Sequence, residues 1–265
     1  MRLLLFLLLL FPMLALQAPQ HDEFCGIRNT SFSAGEQIRF NVFYNLAGVY
    51  VNAGEASFTT TLVATNGRPT YHIVGEGRTH NSYDWIYKVR DRYETFVDTA
   101  SMLPLKFIRN VYEGGDKKLE NVTFNKAANT AITSKGVYKV PACVQDVLSA
   151  IYYARNINYA RYKPGDKIPF SMFLDEELHN LYVRFLGVEE VKTRYGTFRA
   201  IKFSPLLIKG TIFEGGEKMT VWVTNDANRM PVRIESPIVV GSVKVDMMGY
   251  RGLRYPMKAL VKLRK

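Results

Sequence analysis

The chain has 265 residues, 47% of them apolar, and a formal net charge of +11. The apolar content supplies a substantial core, and the length allows one large β domain or two smaller ones. The basic excess favours anionic partners such as lipid headgroups, lipopolysaccharide, acidic glycans or nucleic acid, although a solvated basic exterior would produce the same excess.

The N-terminus predicts a cleaved leader at residues 1–18. Arg2 precedes an apolar run over residues 3–16, and the small residue Ala18 follows it, which is the layout of a secretory signal peptide. The run is shorter than the roughly 20 residues of a membrane span, and Pro12 interrupts it. A retained anchor is the alternative. We therefore expect an exported, periplasmic protein, soluble or peripherally attached to the envelope, and export argues against nucleic acid as a partner.

A period of two dominates the first half, residues 19–140. In residues 37–44, Ile38, Phe40 and Val42 share one face, while three polar residues and Phe43 occupy the other, which predicts a strand with one buried side. The alternation resumes through residues 49–62. Further strands are expected at 71–74, 85–97, 104–112, 118–124 and 130–140.

One segment predicts a helix, at about residues 144–155 within a connector spanning 141–163. Val144, Val147, Leu148 and Ile151 fall at the spacing of a single helical face. In the second half, residues 164–265, the strand pattern returns. Its expected strands are 167–174, 179–192, 197–204, 207–213, 217–224, 231–236 and 238–250.

The two halves open alike. Residues 34–44 read AGEQIRFNVFY and residues 164–174 read PGDKIPFSMFL, with four identities at an offset of 130 residues. A second match places Leu103-Pro104 against Met230-Pro231, an offset of 127 residues between the prolines. We expect an internal duplication of roughly 34–134 and 164–255, and two related halves that form a barrel-like or clam-like antiparallel sheet around the helix.

Two cysteines, Cys25 and Cys143, allow only one pairing. In an oxidising compartment a disulfide is one interpretation, and two separate buried thiols are the other. A bridge between them would close a loop of more than a hundred residues, which is worth roughly 4–5 kcal/mol on the chain-entropy model. Neither cysteine has a histidine at metal-ligand spacing, so no metal or cofactor is expected.

No motif supplies a catalytic residue. His80, Ser82 and Asp84 lie together in one short stretch, and such neighbours cannot easily adopt the geometry of a catalytic triad. Aromatic residues make up 13% of the chain, and strands with large side chains on both faces indicate either a thick core or a ligand cavity. The candidate ligand-binding residues are Trp85, Tyr87, Arg90, Arg92, Tyr93, Phe173 and Trp222.

Several ordered motifs together resemble a known exported family. They are Cys25, Gly35-Glu36, Ala53-Gly54-Glu55-Ala56, Asp84-Trp85, Leu103-Pro104, Asp146-Val147-Leu148-Ser149-Ala150 and Asn228-Arg229-Met230-Pro231-Val232. This order is similar to that of the domain of unknown function 3108 family, which implies a periplasmic β-rich protein and no known reaction. More loosely, long strands with an inserted helix resemble the LolA/LolB lipoprotein carriers, a fold-level analogy only.

These observations lead to a non-enzymatic envelope binding or carrier protein for an apolar, anionic ligand such as lipid, with an anionic membrane surface as a second partner. A structural or adaptor protein without a small ligand is the alternative. A glycan or lipid hydrolase is the third hypothesis, because a carboxylate pair is a tertiary property that sequence does not reveal. The sequence does not indicate the oligomeric state.

Overall fold

The computed structural model describes residues 25–209, 215–238 and 240–264. The leader predicted at residues 1–18 lies outside these ranges. Within them, no helix is long and apolar enough to cross a membrane.

Fifteen strands form one antiparallel sheet in the described part of the chain. They are β1 (Gln37–Leu46), β2 (Val49–Thr65), β3 (Arg68–Thr79), β4 (Val89–Asp98), β5 (Pro104–Glu113), β6 (Asp116–Asn125), β7 (Thr130–Thr133), β8 (Gly136–Lys139), β9 (Lys167–Leu174), β10 (Glu177–Lys192), β11 (Gly196–Pro205), β12 (Thr220–Thr224), β13 (Pro231–Pro237), β14 (Ser242–Arg251) and β15 (Leu260–Leu263). An α-helix, α1 (Val147–Ala154), and two short 3-10 helices, Asn81–Tyr83 and Tyr159–Arg161, complete the elements.

The sheet runs from β8 at one edge through β1 and β14 at its centre to β9 at the other edge, with β15 paired to β11. In the described ranges, the edge strands β8 and β9 do not hydrogen-bond to each other, so the sheet is not a closed barrel. The segment before α1 lies between them, since Gln145 forms a parallel bridge with Met172 of β9. The prediction of a mainly β, antiparallel, barrel-like fold with one central helix is confirmed.

Helix α1 occupies the concave interior of the sheet. Its start is fixed by a capping box: the Asp146 side chain accepts from the Ser149 backbone N–H at 2.9 Å, and the Ser149 hydroxyl bonds the Asp146 N–H at 2.8 Å. Tyr152 and Tyr153 are fully buried in the largest apolar cluster, to which strands of both halves contribute. The interior beside the helix is therefore filled by packed side chains.

Several strand boundaries differ from the sequence prediction. The strand expected at 130–140 is the hairpin of β7 and β8, and the strands expected at 217–224 and 238–250 begin only at Thr220 and Ser242. Of the strand expected at 207–213, residues 207–209 form only an isolated bridge at Leu207, and residues 210–213 lie outside the described ranges. The C-terminal strand β15 was not predicted.

Two further differences concern the helix and the residues before β4. The helix begins at Val147 rather than at 144, because residues 144 and 145 extend toward β9 and Asp146 caps the first turn. The strand expected at 85–97 begins only at Val89. Residues 85–88 instead form a loop after the 3-10 helix, in which the Ile86 N–H bonds the Tyr83 carbonyl at 2.9 Å.

The first strands of the two halves share their backbone geometry. Gly35 N–H donates to the Thr60 carbonyl, and Gly165 N–H donates to the Phe185 carbonyl, each at 2.8 Å. Both glycines have positive φ, 93° and 103°, a conformation that glycine adopts without strain. In addition, β5 and β13 hold the same place in their halves and both begin at a proline. These features are what a duplication predicts, and the duplication itself stays a prediction.

Two long-range links tie the halves and the helix together. Arg155, at the end of α1, makes a bidentate pair with Glu36 at 2.6 and 2.8 Å and donates to the Asn228 carbonyl of the second half. Both charged side chains are buried. Cys25 and Cys143 are joined as a disulfide, with Cα atoms 5.3 Å apart, so the N-terminal segment is fastened to the residues just before the helix.

Candidate functional site

A cleft of about 170 Å³ opens where the turn between β10 and β11 lies against β14. We call it the cationic cleft, because five of its nine lining residues are lysine or arginine. Its walls come from β1, β2, β13, β14, the β10–β11 turn and the C-terminal segment. The lining residues are Phe43, Tyr50, Lys192, Thr193, Arg194, Arg233, Lys244, Asp246 and Arg264.

The floor of the cleft is a buried, hydrogen-bonded ion pair. Asp246 is 1% exposed and accepts from the Arg233 guanidinium at 2.7 and 3.0 Å. It also accepts from the Arg194 backbone N–H at 3.0 Å, which holds the β10–β11 turn in place. Asp246 is thus fully engaged in positioning the cleft and neutralises only one of its cations.

Three further cations on the walls have no carboxylate partner among the described residues: Lys192, Arg194 and Arg264. The Arg194 guanidinium lies 4.9 Å from the centre of the Phe43 ring, a cation–π contact that orients it. The walls therefore present excess positive charge over a rigid floor. Such an arrangement suits an anionic group, because guanidinium and ammonium groups donate charge-assisted hydrogen bonds to phosphate and carboxylate oxygens.

Lys244 and Tyr50 form the side of the cleft nearest the β1–β2 turn. The Lys244 ammonium lies 4.9 Å from the Tyr50 ring and 3.0 Å from the Glu235 carboxylate. Tyr50 itself is exposed. The volume of about 170 Å³ is below the roughly 300–1,000 Å³ of drug-sized sites. The cleft therefore fits a headgroup-sized anion and not an acyl chain.

Three of the sequence-predicted ligand-binding residues lie together in and beside the 85–88 loop. Trp85 is 82% exposed, and its indole N–H donates to the Ser82 carbonyl at 2.9 Å. Tyr87 packs its ring on Gly114. Arg90 makes a bidentate contact with Asp84 at 2.6 and 3.1 Å, which fastens the base of the loop. This network holds the pKa of Asp84 below its usual range, first through the hydrogen bond from Thr79.

The other predicted ligand-binding residues lie elsewhere. Arg92 pairs with Glu76 and Glu94 on the surface of β4. Tyr93 and Phe173 both belong to one apolar cluster, Tyr93 also packs against a second cluster, and Trp222 lies in a third. Packing sets the positions of these three residues, so the structure does not gather the predicted residues into a single site.

Beside that loop, the Asp91 carboxylate of β4 accepts from the Tyr112 backbone N–H at 3.3 Å. Burial, followed by the neighbouring negative charge of Glu113, raises the pKa of Asp91 to about 7. Nearby, burial raises the pKa of the Tyr93 hydroxyl above its ordinary value. Asp91 therefore exchanges its proton near neutral pH. Among the described residues, no group of three or more His, Cys, Asp or Glu side chains is arranged to hold a metal ion.

Sequence reasoning missed the cationic cleft because its cations are separated by as many as 72 positions, from Lys192 to Arg264. The sequence pattern places Lys192 at the end of an expected strand, 179–192, and Arg194 between that strand and the next. No local spacing relates them to Arg233 or Lys244, and a scattered basic composition was the sole available signal.

Comparisons with known proteins address the family and the fold. The family described as protein of unknown function (DUF3108) matches residues 39–248. The chain belongs to this family. The resemblance inferred from the ordered sequence motifs is thereby confirmed. None of the curated proteins matches this DUF3108 protein.

Among solved structures, the DUF3108 protein is similar to a β-barrel-like protein of domain of unknown function DUF1849 from Brucella abortus, with 9% identity and a TM-score of 0.53 over 86% of this chain and 100% of that chain. This likeness supports the barrel-like fold alone. An exported protein with a YmcC-like fold from Bacteroides fragilis matches at 14% identity and a TM-score of 0.33, over 85% of this chain and 99% of that one. A lipoprotein from Parabacteroides distasonis matches at 12% identity and a TM-score of 0.31, over 84% of this chain and 100% of that one.

Proposed function

We propose that this DUF3108 protein is an exported, non-enzymatic binding protein of the cell envelope whose ligand is amphipathic and anionic, as a phospholipid is. The single observation that carries the proposal is the cationic cleft, in which Lys192, Arg194 and Arg264 face a common space without carboxylate partners in the described part of the chain. The exported and lipoprotein character of two structurally similar proteins is in keeping with an envelope location.

The cleft binds the charged end of the ligand. Guanidinium groups at Arg194 and Arg264 are placed to contact phosphate oxygens, while Lys192 adds long-range attraction. Tyr50, exposed at the cleft edge, offers an aromatic surface to the first carbons beyond the headgroup. The apolar end of the ligand stays outside the sheet, because α1 and its neighbouring side chains already fill the interior.

The direct test uses a soluble short-chain phosphatidylglycerol and its phosphatidylcholine counterpart in isothermal titration calorimetry. We expect the wild type to prefer the anionic lipid. The double variant Arg194→Ala/Arg264→Ala should bind it at least about tenfold more weakly, since each charge-assisted hydrogen bond contributes roughly 1.5–3 kcal/mol. Arg251→Ala, an exposed position at the other end of β14, is the matched control and should leave affinity unchanged.

The proposal would be overturned if the wild type bound the two lipids with equal affinity, or if Arg251→Ala lost as much affinity for the anionic lipid as the Arg194→Ala/Arg264→Ala variant. Native mass spectrometry of protein purified from its own host provides a second readout, in which copurifying anionic lipid supports it. A wild type that carries and binds no lipid would favour the adaptor alternative. The hydrolase alternative predicts turnover of the anionic lipid that Asp91→Asn abolishes, because burial and the Glu113 charge raise the pKa of Asp91 to about 7, which suits a general acid or base.

A further inference from the structure

Three neighbouring connections carry exposed apolar residues at one end of the sheet. Because β14, β1, β2, β3 and β4 are successive antiparallel neighbours, the β13–β14, β1–β2 and β3–β4 connections all lie at the same end. We define the apolar rim by the exposed large side chains on or next to these connections. They are Val49, Tyr50, Trp85, Ile86, Tyr87 and Val240.

The tips of the rim are held to one another or to the sheet. The Tyr44 hydroxyl donates to the Val240 carbonyl at 3.2 Å, which joins the β13–β14 turn to β1. His80 N–H donates to the Ala53 carbonyl of β2 at 2.9 Å, at the start of the loop that presents Trp85. Five strands at a spacing of about 4.8 Å make the rim roughly 19 Å wide.

The 85–88 loop exposes its apolar side chains in a fixed conformation. Trp85 and Ile86 are 82% and 62% exposed, although the indole N–H is satisfied internally by the Ser82 carbonyl. The Asp84–Arg90 contact fastens the loop base, and the Tyr87 ring rests on Gly114. An exposed indole whose polar atom needs no external partner presents a purely apolar face, and its exposure in water is unfavourable unless something covers it.

The charges beside the rim indicate what covers it. The ammonium groups of Lys88, just before β4, and Lys117, in β6, lie 5.6 and 5.8 Å from the centre of the Tyr112 ring on β5. Neither ammonium has a carboxylate partner in the ranges that the structure describes. Two acidic residues that flank the β5–β6 turn, Glu113 and Asp116, also lie near Tyr87. At the other side of the rim is the cationic cleft, and the chain as a whole carries a net charge of +11.

We propose that the apolar rim docks this protein on an anionic lipid bilayer surface. Tryptophan and tyrosine are enriched at membrane interfaces, where apolar ring surface enters the headgroup layer. Lysines flanking the inserted residues are attracted to the negative surface potential of an anionic leaflet. This inference goes beyond the proposed ligand binding, since the rim uses Trp85 and Ile86, which do not line the cleft.

Vesicle cosedimentation tests the rim. Protein recovered after export is mixed with phosphatidylcholine vesicles that contain or lack phosphatidylglycerol. We expect preferential binding to the anionic vesicles, and a loss of roughly tenfold or more in the Trp85→Ser/Ile86→Ser variant, because two exposed side chains lose their burial in the interface. Leu62→Ser is the matched control. Leu62 is comparably exposed, at 56%, near the opposite end of β2, and its replacement should leave binding unchanged.

Intrinsic fluorescence gives an independent readout, because the chain has only two tryptophans. In a Trp222→Phe background the emission of Trp85 should shift to the blue on adding anionic vesicles and not on adding neutral ones. Circular dichroism of each variant checks that it is folded. The proposal is overturned if wild-type protein ignores anionic vesicles, if the Leu62 control loses as much binding as the rim variant, or if the rim variant abolishes self-association of the chain instead of vesicle binding. The cleft variant Arg194→Ala/Arg264→Ala separates the two proposals. If its Trp85 emission still shifts to the blue with anionic vesicles, the rim docks on the membrane independently of ligand binding in the cleft.

Discussion

The buried pair of Glu36 and Arg155 offers the sharpest test of how the fold is held together. Glu36 lies just before β1 and Arg155 just after α1, so their contact joins the first half to the central helix. Arg155 also donates to the Asn228 carbonyl at 2.9 Å. Replacing Glu36 with glutamine keeps the shape of the side chain but leaves the guanidinium buried without a counter-charge.

The expected cost follows from burial. Glu36 and Arg155 are 0% and 2% exposed, and both nitrogen–oxygen contacts are short, at 2.6 and 2.8 Å. Breaking a buried pair by removing one partner costs about 3–5 kcal/mol. At roughly 2–4 °C per kcal/mol for a chain of this size, we expect the melting temperature of Glu36→Gln protein to fall by about 10 °C.

The matching position of the second half provides the control. Asp166 follows Gly165 as Glu36 follows Gly35, but it is exposed and its carboxylate accepts from the Lys163 N–H at 2.7 Å. Asp166→Asn should therefore cost no more than about 1 kcal/mol.

Urea denaturation followed by circular dichroism measures both variants, and a double-mutant cycle with Arg155→Met should give a coupling energy of about 2 kcal/mol or more. Equal losses for Glu36→Gln and Asp166→Asn, or a coupling energy near zero, would show that the buried pair does not carry the stability assigned to it.

Three further predictions concern titration, the disulfide and the rim. The pKa of Asp91, about 7 in the folded state against 3.8 as its ordinary value, means that the folded protein binds more protons between these pH values, so stability should fall as pH rises from about 4 through 7. Partial exposure reduces the effect to about 1–2 kcal/mol, and urea titrations of Asp91→Asn protein should lack it. Serine at both Cys25 and Cys143 opens a loop spanning 118 positions and should lower the free energy of unfolding by about 4–5 kcal/mol in the same assay. Gly114→Ala would place a Cβ 2.3 Å from the Tyr87 ring, so it should displace the ring and weaken vesicle cosedimentation while far-UV circular dichroism stays unchanged.

Most of the sheet was predictable because one-sided burial imposes a period of two on the sequence. Helix α1 was predictable because Val147, Leu148 and Ile151 recur at helical spacing and Asp146 marks its start. The predicted face is not the buried one, however, because Val147 and Ile151 are only half-buried while the other helical residues are buried. The 85–88 loop was not. Trp85, Ile86 and Tyr87 are all strand-favouring residues, and only the tertiary contacts of Asp84 and Gly114 show that the chain turns there instead of extending.

The site was less predictable than the fold, because its chemistry depends on charges brought together by strand order. Arg233 and Lys244 lie on neighbouring strands, yet Arg194 reaches them only because its turn bonds to Asp246. The sequence singled out Trp85 and Tyr87 for their aromatic character, and the structure places them at the surface. The sequence does not distinguish Trp85 and Tyr87 from Phe173, which is buried in an apolar cluster. Where a strand carries large side chains on both faces, their burial depends on which other elements pack against each face.

A filled interior changes where an amphipathic ligand can bind. In an open barrel-like sheet the concave face is the natural cavity, but here Tyr152, Tyr153 and Leu148 of α1 occupy it. The polar and apolar contacts proposed for a lipid would then both be made at the surface. Tyr50 belongs to both surfaces, since it lines the cationic cleft and stands on the apolar rim. A lipid whose headgroup lies in the cleft would therefore have its chains beside the rim, in the layer that the rim itself enters, so binding would not require the lipid to leave the membrane completely.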